Sequence, residues 1–264
     1  MGTAPNDGAD ATTRPGVLVG ARDRRTLLRG AIGAGTTFLV PRSPSASSDP
    51  TTKLWRVLEQ HLDDCLVWDR RGSDEPWPIH LVPDPGTLAD ALAWTRSPRA
   101  LPLALKLAEV DPLFAISALE DLDVPDAEVA LRELTDPSAW FGLAELDAQQ
   151  AARDATAALH ARATRLPPPP GRLSPDEAHA LARRTVELGW SRFSPDGLPN
   201  EEPAVARFVL ELADDPWLLS GAFDVLSIHA DYGKVEAAER IFEGTEAAWV
   251  RALAAGYVIG ARTK

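Results

Sequence analysis

Apolar residues recur at helical spacing along most of this chain. Leu54, Leu58, Leu62 and Cys65 make one such stripe, and Val205, Phe208, Val209 and Leu212 another, each with polar residues on the opposite face. Strand-like alternation is nearly missing. Only Ile79-His80-Leu81-Val82 has the make-up of a short strand, and between Pro78 and Pro83 an extended surface loop fits it as well. The pattern predicts helices near 52–68, 87–96, 98–109, 112–121, 126–135, 137–165, 175–190, 201–213, 216–232, 234–243 and 245–258. The expected fold is all-α: a compact array or bundle of about ten mostly short, antiparallel helices that follow a disordered N-terminal leader.

Helix starts are marked by a repeated device. Ser97-Pro98, Asp111-Pro112, Asp136-Pro137, Ser174-Pro175 and Asp215-Pro216 each join a side chain that can accept from the first free amides to a proline whose missing N–H costs nothing there. Ser174-Pro175-Asp176-Glu177 adds the glutamate of a capping box. Pro167 to Pro170 with Gly171 reads as a stiff linker, residues 166–171. It separates a helical domain, 52–165, from a helical subdomain, 172–264, and leaves open whether the two share a core.

Residues 1–48 differ from the rest. Asp23-Arg24-Arg25-Thr26-Leu27-Leu28-Arg29 is followed by the weakly apolar run Gly30 to Val40 and then by Pro41-Arg42-Ser43-Pro44-Ser45-Ala46. Arg24, Arg25, Leu27 and Leu28 in this order resemble a bacterial twin-arginine signal, whose apolar stretch is too short to span a bilayer. The resemblance implies export machinery as a partner and an extracytoplasmic location. Without it, the segment reads as a disordered arm of a cytoplasmic protein.

The 264 residues are 45% hydrophobic and 25% charged, ordinary for a globular chain, with a net charge of −12. Residues 1–48 hold six arginines and three aspartates, which leaves 21 basic and 36 acidic side chains in the remainder, a net of −15. Such a body repels phosphate backbones and no Lys/Arg run relieves it, so nucleic acid is excluded as an expected partner. Cys65 is the single cysteine, which rules out an intrachain disulfide; on the apolar face of a helix it is expected to be a buried small hydrophobe.

Motifs that specify a reaction are scarce. The histidines His61, His80, His160, His179 and His229 are scattered singly, with no His-Glu-x-x-His, and Ser220 lacks the turn of a hydrolase elbow. Two clusters remain. Trp68 and Trp77 flank a polar segment carrying Arg70 and Arg71, the residues of a possible recognition loop. Asp63 and Asp64 at the end of the first body helix, with Asp224, Ser227 and Asp231 on a later one, have a spacing similar to the two metal-binding motifs of class I terpene synthases. That resemblance implies Mg as cofactor and a diphosphate substrate, with Asp224, Ser227 and Asp231 sharing one helical face. The first motif is more stretched than the family's form, and a solvated acidic face accounts for the same residues. No cofactor is expected on the leading reading: an exported, non-catalytic, all-helical binding or accessory protein that acts on a protein partner or a ligand, with no transmembrane segment. The alternatives are the Mg-dependent helical enzyme and a cytoplasmic interaction scaffold.

Overall fold

Prolines and the side chains before them start the helices. The computed structural model describes residues 51–71, 83–189 and 202–263, and the side chains of these except 69–71. Within them lie eleven α-helices: α1 (Thr51–Arg71), α2 (Pro85–Trp94), α3 (Leu101–Lys106), α4 (Pro112–Asp121), α5 (Pro125–Glu133), α6 (Glu145–Thr164), α7 (Pro175–Leu188), α8 (Pro203–Leu212), α9 (Pro216–Ile228), α10 (Val235–Gly244) and α11 (Ala248–Arg262). No strand occurs among the described residues, so the all-α expectation holds.

All five Ser/Asp-Pro pairs cap. Asp111 accepts from the Leu113 amide at 2.8 Å, Asp215 from Trp217 at 2.8 Å and Leu218 at 3.2 Å, and Ser174 and Glu177 close both halves of the capping box. A sixth pair, Asp84-Pro85, starts α2 two residues earlier than the periodicity suggests, with Asp84 accepting from Gly86 at 3.1 Å and Thr87 at 3.2 Å. Two pairs start less than expected. Ser97-Pro98 opens a single 3₁₀ turn, Pro98–Ala100, that runs on into α3, and Asp136-Pro137 opens another, Pro137–Ala139, that ends at Trp140. The helix expected over 137–165 therefore begins only at Glu145. Buried Trp140 donates its indole N–H back to the Leu134 carbonyl at 2.9 Å, and Gly142 follows in the left-handed region at φ 83°.

The most buried element is α11. From Val250 to Gly260 every residue is buried except Arg251, as a helix that is apolar all round must be. Neither it nor any other helix among the described residues is long and apolar enough to cross a membrane. Around it pack α1, α2, α9 and α10; α2 in turn packs on α4, α4 on α3, α5 and α6, and α8 on α7 and α9. One hydrophobic cluster includes Leu58 and Leu92, before the Pro167–Pro170 stretch, and Phe223 and Tyr257, after it.

Two glycines let α11 and α2 approach. A Cβ on Gly256 would fall inside contact distance of the Ala91 carbonyl oxygen and 2.8 Å from its carbon; one on Gly260 would collide with the Trp94 carbonyl oxygen and lie 2.9 Å from the Tyr232 ring. The pair forms a Gly-x-x-x-Gly stripe, the device that allows two helix backbones to touch where any side chain would hold them apart. Tyr232 donates to the same Trp94 carbonyl at 3.1 Å. Buried Tyr257 donates to the Asp231 carbonyl at 2.8 Å and accepts from the Lys234 amide at 3.1 Å, which ties the α9–α10 turn to α11.

Charged side chains fasten the remaining ends. Arg162 on α6 donates to the carbonyls of Leu119 at 3.2 Å, Glu120 at 3.0 Å, Leu122 at 2.7 Å and Val124 at 3.1 Å, so one guanidinium satisfies the open C-terminus of α4 and faces its negative dipole end. Arg162→Met keeps the stem but removes the charged donor that these four carbonyls share. It is expected to cost about 2–3 kcal/mol, the range for hydrogen bonds to a charged group, and to lower the urea midpoint without changing the slope of the transition. Buried Glu202 accepts from the amides of Arg172 and Leu173 at 3.0–3.2 Å and holds the approach to α7 against the start of α8.

Candidate functional site

Two helix corners stand side by side and leave a groove between them. At the first, α8 stops at Leu212, Ala213 turns the chain, and Asp215 caps α9. At the second, α10 stops at Gly244 and Thr245 reverses the chain. Its amide donates to Ile241 O at 2.9 Å, its hydroxyl accepts from the Ala247 amide at 3.2 Å, and its carbonyl accepts from the Arg251 guanidinium. The groove encloses about 490 Å³, within the range of small-ligand sites. Leu210, Ala213, Pro216, Leu219, Ile241 and Ala247 supply its apolar lining, and Glu211, Asp214, Arg240 and Glu246 its charges. Glu211 is engaged by the Lys234 ammonium. Asp214, Arg240 and Glu246 are exposed and make no hydrogen bond or ion pair among the described residues. Trp217 directly follows the lining residue Pro216. It is 49% exposed and packs on Trp249 with ring centroids 4.8 Å apart, so an aromatic face is open to water beside the groove.

A second feature is electrostatic. Asp90 on α2 and Asp224 on α9 are partly buried and lie within each other's field, and neither side chain has an ion pair or hydrogen bond among the described residues. Burial pushes the Asp90 carboxyl up to about 7, with the charges of Asp224, Asp121 and Asp84 adding to it. Burial alone pushes Asp224 up to about 6. The Ser227 hydroxyl donates to the Asp224 backbone carbonyl at 2.9 Å and not to its carboxylate.

The residues expected to hold magnesium are placed apart in function. Asp63 pairs with Lys106 at 3.2 Å and Asp64 accepts from Gln60 at 2.9 Å, both on α1. Asp231 does not share a helical face with Asp224 and Ser227, because α9 ends at Ile228 and Ala230 takes φ 49°. Its carboxylate instead accepts from the Gly233 amide at 3.1 Å and pairs with Arg207 at 2.5 Å. Among the described residues no three His, Cys, Asp or Glu side chains gather in a metal-binding group. Of the recognition-loop residues, Trp68 sits on α1, half-buried. Trp77 and the side chains of Arg70 and Arg71 lie outside the described residues, as do Arg24, Arg25, Leu27, Leu28 and the segment 79–82.

Cys65 is buried and its thiol is pushed up to about 12, so it behaves as the inert small hydrophobe expected of it. His61 is buried as well, with Nε2 3.4 Å from the Asp84 carbonyl, and burial lowers its pKa. The groove residues Asp214, Arg240 and Glu246 do not stand out in the sequence. The signal available was position: Asp214 and Glu246 stand at helix corners, two residues before the starts of α9 and α11. Compared with known protein families, curated proteins and solved structures, the chain matches none.

Proposed function

We propose that this chain is an all-helical binding or accessory protein, non-catalytic, exported through a twin-arginine leader and working outside the cytoplasm through protein or ligand contacts. The groove between the α8–α9 and α10–α11 corners carries the binding half of this reading. It joins an apolar lining to charged groups, of which Asp214, Arg240 and Glu246 have no side-chain partner among the described residues, and stands beside an exposed tryptophan, the composition of surfaces that hold a partner. Arg24-Arg25 with Leu27-Leu28 supports the export half. A leader that hands over an already folded body suits a protein whose site exists only once its helix corners have packed together.

Export is tested by fractionating native cells and sequencing the mature N-terminus, with the wild-type chain beside the Arg24→Lys plus Arg25→Lys double variant. The wild type is expected outside the cytoplasm with residues 1 to about 48 removed, and the double variant inside and intact. The same distribution for both would remove the export half and leave the groove as the site of a cytoplasmic scaffold.

A further inference from the structure

We infer that the groove accepts a basic peptide segment, with arginine or lysine side chains, from a partner protein. The inference rests on the binding reading above and names its partner class. Glu211, Asp214 and Glu246 oppose the single guanidinium of Arg240, and with Glu211 already held by Lys234 the unengaged charges are two carboxylates against one cation. Four helix ends meet at the groove. Those of α8 and α10 are C-termini, which carry negative partial charge; of the two positive ends, Asp215 caps that of α9, and that of α11 has no side-chain cap but follows directly on Glu246 and Ala247. The surrounding body carries a net charge of −15 between residue 49 and the C-terminus, a field that draws cationic chains and repels acidic ones before contact.

The apolar lining favours a peptide over a free cation. Part-exposed Pro216 and Ile241, seated on buried Leu210 and Leu219, offer surface for the methylene stems of arginine or lysine, whose charged heads then reach the carboxylates at the edge. Trp217, held in place by Trp249, presents a ring on which a guanidinium can stack. Arg99 over Trp55 at 4.7 Å shows the same contact within this fold.

The test is selection of a displayed random-heptapeptide library on the full chain, followed by fluorescence polarisation with the retained sequences. Retained peptides are expected to be enriched in arginine and lysine. Asp214→Lys plus Glu246→Lys should weaken them about ten-fold or more, while Asp147→Lys, an equally exposed charge change on α6, should leave them within about two-fold. Melting curves establish that the double variant is folded. Retention of acidic or uncharged peptides that depend on Arg240 would overturn the basic partner while leaving the groove as a binding site. Retained peptides indifferent to Asp214, Arg240 and Glu246, or no retained peptide at all, would overturn both.

Discussion

Replacing Gly260 with alanine is expected to destabilise the body by about 2–4 kcal/mol, and Gly256→Ala by a similar amount. Alanine is the better helix former by up to about 1 kcal/mol, so propensity alone argues for stabilisation. Packing decides the sign. The new methyl group would meet carbonyls of α2, at Ala91 and Trp94, and these are backbone atoms that cannot rotate aside as a side chain can. Relief requires α2 and α11 to separate, and overpacking of this kind costs about 1–3 kcal/mol and occasionally more. Because α11 also packs on α1, α9 and α10, the displacement is felt through the core. Gly244→Ala at the end of α10 is the control: nothing lies within 4 Å of its added Cβ, and it should be neutral or slightly stabilising. Urea or thermal unfolding of the three variants checks this. Equal stability of Gly260→Ala and Gly244→Ala would show that the two helices do not touch backbone to backbone.

Stability is expected to increase as pH is lowered from about 7.5 toward 5.5, by about 2–4 kcal/mol. The folded-state pKa values of Asp90, about 7, and Asp224, about 6, lie above the ordinary carboxylate value of 3.8. Between the ordinary and raised values the folded chain holds more protons than the unfolded one, so stability falls as pH rises through that window. Above about 7 both carboxylates are charged in their part-buried sites, with no cation paired to either among the described residues, and the full penalty is present. Glu120, raised by burial and by Asp121, acts in the same direction. His61 opposes them. Its lowered pKa means that the folded state favours the neutral ring, a contribution complete above 6.5 and lost as pH falls through the depressed value. The two trends place maximum stability in mildly acidic solution. Asp90→Asn should flatten the slope above pH 6 and raise stability at pH 7.5 by about 2 kcal/mol. Melting temperatures across pH 5 to 8 for the wild type, Asp90→Asn and Asp224→Asn test it. A wild type that gains stability with rising pH, or an Asp90→Asn variant with an unchanged slope, would contradict the assignment.

Local features were legible wherever the governing interaction is local. A serine or aspartate before proline specifies a helix start within four residues, and every such pair expected to cap does so. The stripe Leu54, Leu58, Leu62 and Cys65 is buried as its spacing requires. The stripe through α8 was only partly right: Val205 and Val209 are buried, but Ala206 and Leu210 complete the face, and Leu212 is 37% exposed at the helix end. Periodicity ranks residues by hydrophobicity, and small alanines beside bulkier neighbours are easily passed over. The helix expected over 137–165 is present but starts late, at Glu145, for a related reason. Asp136-Pro137 supplies a start, but nothing local reveals that the Trp140 indole binds the preceding turn and stops the helix.

The site was less legible than the fold. Asp224 stands out in the sequence for its helical spacing to Ser227 and Asp231, yet what sets its chemistry is burial under packed helices, and the group that feels its charge is Asp90, 134 positions away on α2. Asp231 depends on Arg207, and Asp214 and Glu246 are neighbours of one groove only because two helix corners lie together. Gly256 and Gly260 were readable as a spacing but not as a contact, since the carbonyls they admit belong to residues more than 160 positions earlier.

By itself the sequence determined that the chain would be helical, where most helices begin and that the body would be acidic. Capping, periodicity and net charge act over a few residues or over the whole chain, and neither range needs the tertiary arrangement. Only that arrangement decided which helices touch, which carboxylates lose water and which charges gather beside the groove. Those outcomes depend on distances between residues remote in sequence, set once α11 is buried against α2.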